Sequence, residues 1–207
     1  MPGSGPLLIL LVFLGMIERL KMFDRDLLLA INSSHSPFMD VVMWQLSQTW
    51  VTVVVVMLAA LVINRRYSLR KGVEFLLGCA IVLACTDLTA NLVKHEVKRY
   101  RPTHNTEIQN QVRTLKNYYG GQYGFASGHS SNNFGVAAYI FFCMHWMKMR
   151  QRAWIFLLPA LVVYSRMYLG VHYPSDIIMG MFIGLFFGWL GYRIVNRHFL
   201  KFNEQGT

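Results

Sequence analysis

Three short stretches of this 207-residue chain contain the side-chain types that bind anions and exchange protons. The first, residues 94–102, holds Lys94 and Arg101 seven positions apart and ends at Pro102. If the preceding helix continues, that spacing is nearly two turns, and both cations share one face about 10 Å apart along the axis. The alternative is a cluster of cations whose side chains snorkel to a membrane surface.

The second stretch, residues 126–131, reads Ala-Ser-Gly-His-Ser-Ser and leads directly into an apolar run. Backbone N–H groups of small residues at the start of a helix form an anion site. His129 adds a group that exchanges a proton near neutral pH. The alternative is simple helix capping by Ser127 or Ser130, with His129 incidental.

The third stretch, residues 165–176, places Arg166 at the end of an apolar run, His172 after it, and Asp176 four residues later. A spacing of four puts the histidine and the carboxylate on one side of a helical turn. The carboxylate then holds one ring nitrogen protonated and leaves the other as a lone-pair nucleophile. A helix-capping aspartate beside an unrelated histidine is the alternative.

The composition predicts that a membrane surrounds these stretches. The chain is 54% hydrophobic and 14% charged, with a mean hydropathy of +0.34. This excludes a disordered chain, a collagen-like fibre and a disulfide scaffold. The net charge of +10 would suit nucleic acid, but many of the cations stand at the ends of apolar runs, as in membrane proteins. We therefore expect no nucleic-acid partner.

The apolar runs predict an all-α, polytopic membrane helical bundle of about six transmembrane helices. A helix needs about 20 mostly apolar residues to cross the bilayer. Five runs approach this length, and the first of them qualifies if its polar part, residues 45–49, lies near a surface. A sixth run is short and is either a tilted span or an interfacial anchor, and Met16 is an alternative start of the chain. Residues 23–32 are amphipathic and predict a surface helix. The runs are residues 41–63, 72–93, 133–147, 153–170 and 177–195, with 6–17 as the short one.

The charged links predict an orientation. Cations crowd residues 65–71, 148–152 and 193–201, which fall on one side if the spans alternate, and the positive-inside rule makes that side cytoplasmic. Residues 94–132 and 171–176 then face outward. The outer link is itself basic, which indicates an anionic ligand. Its part 103–125 covers the site, contacts the headgroup of the ligand or forms a mobile surface loop.

Together the three stretches resemble the signature of the type-2 phosphatidic acid phosphatase superfamily. Its pattern is Lys-x6-Arg-Pro, then Pro-Ser-Gly-His, then Ser-Arg-x5-His-x3-Asp. Every specified position agrees except Ala126, where the family usually has proline. About ten specified residues in the right order make a chance match very unlikely. The resemblance covers residues 94–176 by motif, and the flanking spans fit by layout.

The resemblance implies a role for each matching residue. His172 would attack phosphorus and form a phosphohistidine, Asp176 would orient its ring, and His129 would protonate the leaving oxygen and later activate water. A cradle would hold the nonbridging oxygens without a metal or another cofactor, because its cations replace Mg²⁺. The phosphate-binding residues would be Lys94, Arg101, Ser127, Gly128 and Arg166.

The resemblance also implies a function. Residues 1–207 would form one membrane-embedded phosphatase domain, with an N-terminal anchor in residues 1–40 and the site facing the periplasm of a bacterial inner membrane. The substrate would be a membrane lipid phosphate, with undecaprenyl pyrophosphate and lipid A ahead of phosphatidylglycerophosphate. Two alternatives are a lipid phosphotransferase that uses the same histidine and a non-catalytic lipid-binding protein.

Two carboxylates, Glu74 and Asp87, lie within an apolar run outside the motif. Ionisable groups inside a membrane are functional candidates by default. Because neither matches the signature, we expect each to be a buried structural partner or to lie at the interface.

Overall fold

The computed structural model describes residues 4–145 and 148–195, with side chains described from residue 11 onward and that of Met149 excepted. The described residues form helices joined by turns and contain no strand, which confirms the all-α prediction. Three short 3₁₀ turns accompany the helices, at Pro102–His104, Gln109–Gln111 and Trp154–Phe156. The helices are α1 (Ser4–Ser33), α2 (Pro37–Leu46), α3 (Thr49–Arg66), α4 (Leu69–Val97), α5 (Gly128–Cys143), α6 (Met149–Ala153), α7 (Leu157–Tyr168) and α8 (Pro174–Val195).

Among the described helices, α3, α4 and α8 are long and apolar enough to cross a bilayer. Large apolar side chains such as Leu77 and Phe182 are 60% exposed on their surfaces, as expected for contact with lipid. Helices α5 and α7 have 16 and 12 residues, fewer than the about 20 that a span of its own needs. The number of spans therefore stays a prediction.

The prediction of one continuous run over residues 41–63 is wrong, because the chain breaks between α2 and α3. Gln48 has extended backbone angles, φ −84° and ψ 145°. The hydroxyl of Ser47 and the side-chain amide of Gln48 both donate to the carbonyl of Trp44, at 2.7 and 3.1 Å. Side chains that bind nearby backbone carbonyls compete with the helix. The polar segment that the sequence placed near a surface is this break.

The division of the N-terminal region into a short run and a separate surface helix is also wrong. Residues 6–17 and 23–32 belong to the single 30-residue helix α1, because neither proline nor glycine interrupts residues 16–33. Among the described side chains of α1, which start at residue 11, the buried ones lie in its second half. Asp24, Leu28 and Asn32, spaced by four on one face, are all buried.

Two further apolar runs have different limits from those expected. Helix α5 begins at Gly128 and ends at Cys143, and residues 146–147 of the predicted run lie outside the described residues. The run 153–170 is divided, because a 3₁₀ turn at Trp154–Phe156 precedes α7.

The three polar stretches meet at one end of the bundle. Ile63, Cys143 and Val195 belong to one buried cluster, which brings the ends of α3, α5 and α8 together. The cation-rich links 65–71 and 148–152 lie at the end of the bundle that contains this buried cluster, away from the polar stretches. Arg197 and Lys201 of the third cation-rich link fall outside the described residues. At the opposite end, the backbone N–H of Ser127 donates to the carbonyl of Asp176 at 2.9 Å, which joins the starts of α5 and α8.

Helices α5 and α8 pack backbone against backbone through glycines spaced by four. Gly180, Gly184 and Gly188 line one face of α8, and an added Cβ would collide with the carbonyl oxygens of Ser127, Ser131 and Gly135, in that order. Small residues let membrane helices approach closely where apolar burial alone gives little association. This contact fixes the register of α5 relative to α8.

We predict that Gly184→Ala destabilises the protein, because its Cβ would meet the backbone of α5 and force the two helices apart. Overpacking of this kind costs about 1–3 kcal/mol. The measurement is the melting temperature in detergent, which should fall. Gly15→Ala is the matched control, since nothing lies within 4 Å of its added Cβ, and it should leave the melting temperature unchanged or raise it slightly. Equal melting temperatures for the two variants would contradict the packing argument.

Candidate active site

His172 and Asp176 form a buried pair at the start of α8. His172 lies in the link between α7 and α8 and is 1% exposed, while Asp176 stands in the first turn of α8 and is 0% exposed. The His172 Nδ1 atom is 3.4 Å from Asp176 Oδ2, and a Cβ added to Gly124 would lie 3.6 Å from the same nitrogen. Because Nδ1 faces a carboxylate, the proton of the neutral ring belongs on Nδ1. The Nε2 lone pair is then available as a nucleophile.

The environment of His172 keeps the ring neutral. Burial lowers the pKa of His172 well below its ordinary value, and the positive charges of Arg101, Arg166 and Lys94 lower it further. All three cations named in the sequence prediction therefore act on the same imidazole. A neutral imidazole can attack phosphorus, whereas a protonated one cannot.

Arg166 and Arg101 are both buried, and one of them has unused hydrogen-bonding capacity. Arg166 is 2% exposed, and its Nη2 donates to the hydroxyl of Tyr118 at 2.8 Å. Its Nε finds no hydrogen-bond partner within the described part of the chain. Arg101 donates from Nε to the carbonyl of Tyr123 at 3.1 Å. A buried donor without a partner is costly, so this arrangement favours an anionic ligand.

Lys94 and Arg101 do not share a helical face, so that part of the prediction is wrong. Helix α4 ends at Val97, and Lys98 adopts a left-handed conformation with φ 50°. The following backbone pairs with residues 122–124 instead: Arg101 N donates to Gln122 O at 3.0 Å, and Gly124 N donates to Arg99 O at 2.9 Å. This pairing takes Arg101 off the axis of α4. The two cations still lie close enough to interact electrostatically.

The start of α5 supplies Ser127, Gly128 and His129. Ser127 is the N-cap of α5, because its hydroxyl accepts from Ser130 N at 3.4 Å. The capping role and the predicted phosphate contact are compatible, since the first N–H groups of any helix lack partners within the helix. The His129 ring lies near the backbone of Ser47 and interacts electrostatically with His172, Arg101 and Arg166. The break between α2 and α3 thus lies next to His129.

The outer link 103–125 is tied down at its middle. Arg113 forms a two-bond ion pair with Asp40, in which Nη1 donates to Oδ1 at 2.9 Å and Nη2 donates to Oδ2 at 2.5 Å. Asn32 of α1 accepts from Arg113 N at 2.7 Å and donates to the carbonyl of Tyr168 at 2.8 Å. These contacts place the link over the ends of α1, α2 and α7, and they favour the covering role over a mobile loop.

Sequence reasoning missed Arg99, which holds the carboxylate of Asp176 from the side opposite His172. Arg99 Nη1 donates to Asp176 Oδ1 at 2.9 Å, and Nη2 donates to Asp24 Oδ2 at 2.8 Å. The guanidinium lies 4.0 Å from the ring centroid of Tyr173. Asp24 also accepts from the backbone N–H of Ser175 at 2.9 Å and from its hydroxyl. The only signal was a further cation in the first stretch, between Lys98 and Arg101.

The two carboxylates outside the motif have different surroundings. Glu74 is buried and pairs with Arg70 and Lys71 at 2.9 and 3.1 Å, which confirms a structural role. Asp87 is exposed and accepts from Asn91 at 3.0 Å and from Asn132 at 3.4 Å. It is therefore not a buried structural partner.

The site thus unites the residues of all three motifs at one end of a helical bundle, and the comparison with known families agrees. Residues 74–200 match the PAP2 superfamily. The chain belongs to the PAP2 superfamily. This confirms the resemblance that the motifs carried, although Ala126 departs from the usual proline.

Two PAP2 relatives are similar along most of their length. The chain is 33% identical over 181 residues to the lipid A 4'-phosphatase of Porphyromonas gingivalis, covering 86% of this chain and 75% of the relative. It is 31% identical over 186 residues to the lipid A 4'-phosphatase of Bacteroides thetaiotaomicron, covering 88% and 81%. The predictions of an integral membrane protein and of a lipid phosphatase are confirmed.

Among the solved structures that share the fold, one covers nearly the whole chain. It is the first transmembrane PAP2 type phosphatidylglycerolphosphate phosphatase from Bacillus subtilis, with a TM-score of 0.68 at 20% identity over 93% of this chain and 94% of that one. At this identity the similarity concerns the helical architecture alone.

We predict that Arg99 is a positioning residue that acts through Asp176. Arg99→Met should lower kcat for phosphate release about 10- to 100-fold, because charge-assisted hydrogen bonds contribute about 1.5–3 kcal/mol, while KM changes little. Arg99→Lys should recover part of the loss. The measurement is steady-state release of phosphate from a lipid phosphate in detergent.

The matched control for Arg99 is Lys98→Met, which removes a neighbouring exposed cation and should leave kcat unchanged. If Arg99→Met and Lys98→Met behave alike, Arg99 has no part in positioning Asp176. If Arg99→Lys is as inactive as Arg99→Met while both melt at lower temperature, the residue serves folding alone.

Proposed function

We propose that this PAP2 protein removes a phosphate group from lipid A through a phosphohistidine intermediate, at the periplasmic face of a bacterial inner membrane. The observation that carries the mechanism is the buried His172 ring, whose Nδ1 faces Asp176 while three cations and the start of α5 surround it. The choice of substrate is supported by relatives that are 31% and 33% identical and carry the name lipid A 4'-phosphatase.

In the first step, His172 Nε2 attacks phosphorus and the bond from phosphorus to the sugar oxygen breaks. Burial lowers the pKa of His129 to about 3, and the positive charges of Arg166 and Arg101 contribute to that shift. The negative charge of the bound phosphate raises the pKa again, so that a protonated His129 donates a proton to that oxygen, which leaves as an alcohol. In the second step, His129 accepts a proton from a water molecule, whose oxygen attacks phosphorus. The nitrogen–phosphorus bond breaks, inorganic phosphate departs, and His172 returns to its neutral form with His129 protonated again.

The cradle lowers the barrier by stabilising charge. Phosphoryl transfer depends mainly on positioning and on electrostatic stabilisation of the equatorial oxygens. Lys94, Arg101 and Arg166, together with the N–H groups at the start of α5, would supply both. Since these cations carry the charge that Mg²⁺ supplies in other enzymes, we propose that turnover needs no metal ion.

A cavity beside His129 suits a substrate whose tail stays in the bilayer. It has a volume of about 190 Å³ and lies between α3, α4 and α5. Its wall is apolar at Val53, Val56, Met57 and Leu83, and His129 lies on its border. A lipid tail could occupy the apolar part while the phosphate reaches the cradle.

The proposed orientation rests on charge. The links 65–71 and 148–152 carry Arg65, Arg66, Arg70, Lys71, Arg150 and Arg152 and lie at the end opposite the site. Short basic links stay in the cytoplasm. The site would then face the periplasm.

The phosphohistidine is tested by trapping it. With p-nitrophenyl phosphate, whose leaving group needs no acid, we predict that His129→Ala forms the phosphoenzyme but hydrolyses it slowly, because water lacks its base. Purified His129→Ala should give a burst of about one p-nitrophenol per protein and retain a label from ³²P that is stable in alkali and labile in acid.

Two variants complete the trapping experiment. His172→Ala should give neither burst nor label, and the exposed His95→Ala should turn over like the parent, without a burst. A label on His172→Ala would assign the nucleophile to another residue.

The substrate is tested by measuring phosphate release from lipid A, undecaprenyl diphosphate and phosphatidylglycerophosphate in detergent. We predict the highest kcat/KM for lipid A. A preference for either other lipid would refute the substrate assignment. If the substrate carries ³²P and the label moves into another lipid instead of free phosphate, the protein is a phosphotransferase.

Metal independence predicts unchanged rates of phosphate release in EDTA. Loss of activity in EDTA with recovery in Mg²⁺ would refute it.

A further inference from the structure

A row of polar side chains continues from the cradle along one face of α4. Leu83, Asp87, Asn91 and Lys94 follow one another at spacings of four, four and three, so they share a helical face. Asn91 connects two of them: its Nδ2 donates to Asp87 Oδ2 at 3.0 Å, and its Oδ1 accepts from Lys94 Nζ at 3.2 Å. The row thus passes from an apolar residue, through a carboxylate and an amide, to a cation of the cradle.

Helix α5 contributes a second amide to this row. Asn132 Nδ2 donates to Asp87 Oδ1 at 3.4 Å, and its Oδ1 accepts from the hydroxyl of Thr86 at 2.7 Å. Asn132 also borders the cavity of about 190 Å³ that His129 borders. A Cβ added to Gly128 would lie 3.9 Å from Asp87 Oδ1. The carboxylate therefore stands next to the predicted phosphate contacts.

The proposed reaction does not use Asp87, yet its position is costly. A carboxylate within a membrane-spanning helix is disfavoured unless it has partners. An ionised carboxylate accepts about four hydrogen bonds, and the two amides supply two. The side chain is exposed, so its remaining lone pairs face the space outside the protein next to the cradle.

We infer that Asp87, Asn91 and Asn132 form a subsite for the sugar ring that bears the phosphate. Such a ring offers hydroxyl and amide N–H groups, which a carboxylate and two amides bind well. This inference rests on the proposed function and extends it to the part of the headgroup beyond the phosphate.

The row along α4 places the carboxylate and the amides between the cation of the cradle and the apolar wall. This order discriminates between classes of lipid phosphate. In a polyprenyl diphosphate, a second phosphate would lie next to the first, where the negative charge of Asp87 repels it. In phosphatidic acid, the groups beyond the phosphate are ester oxygens, which only accept hydrogen bonds and give Asp87 no donor. Among these three classes, only a sugar phosphate presents donors at this point, with acyl chains beyond them for the apolar wall.

The test compares phosphate release from three lipids by the parent and by Asp87→Ala: lipid A, undecaprenyl diphosphate and phosphatidic acid, all in the same detergent. For lipid A, kcat/KM should fall about 10- to 100-fold, the effect of losing a hydrogen bond to a charged group. For phosphatidic acid it should stay within twofold, and for the diphosphate it should stay constant or rise. Asn132→Ala should show the same selectivity.

Two further variants control for charge and folding. Glu96→Ala removes an exposed carboxylate from the same helix and should change none of the three rates. Asp87→Asn keeps the shape of the side chain and one acceptor oxygen, so it should lose less activity on lipid A than Asp87→Ala loses.

The outcomes separate this inference from the proposed function. If the parent prefers lipid A but Asp87→Ala retains that preference, the sugar subsite is refuted and the function stands. Equal losses on all three lipids would assign Asp87 to the cradle instead of a sugar subsite. If the parent releases no phosphate from lipid A while hydrolysing another lipid, the substrate assignment fails and the subsite fails with it.

Discussion

The close packing of α5 on α8 is the constraint on which the site depends. His129 lies in the first turn of one helix and Asp176 in the first turn of the other, so their separation is set by the register between two backbones. The glycines of α8 allow the carbonyl oxygens of α5 to approach without intervening side chains, and the hydrogen bond from Ser127 to the carbonyl of Asp176 fixes the register at the site. Precision at the site thus comes from rigid backbone contact, as catalysis by positioning requires.

Electrostatics gives the site its second property, a marked excess of buried positive charge. Arg101 and Arg166 are almost fully buried and Lys94 is partly buried. Asp176, the carboxylate of the buried pair, is already engaged by Arg99. Unpaired like charges in a low-dielectric region repel one another, and a phosphate dianion relieves that repulsion. The same field keeps His172 neutral, so in the proposed mechanism the affinity for phosphate and the nucleophilicity of His172 would have one physical cause.

The sequence predicted which residues meet at the site better than it predicted the shape of the scaffold. The motif residues were recognisable because each group occupies a short window in which residue type and spacing carry the signal. The contact of Arg99 with Asp24 joins residues 75 positions apart, and no local pattern reports such a pair. The break at Ser47 and the continuity of α1 depend likewise on local hydrogen bonds and packing that hydropathy does not measure. The relation of Lys94 to Arg101 was misjudged because backbone pairing with residues 122–124 overrides the helical period.

The attachment of Asp24 to Ser175 and Arg99 has a consequence for how this enzyme can be divided. The part of the chain that matches the family, residues 74–200, includes every motif residue but not Asp24. A fragment with those limits would keep the motif residues but lose the contacts of Asp24 with Arg99 and Ser175. The smallest portable catalytic unit therefore starts within α1, and a chimaera between related phosphatases must inherit α1 and the residue 99 guanidinium from the same parent.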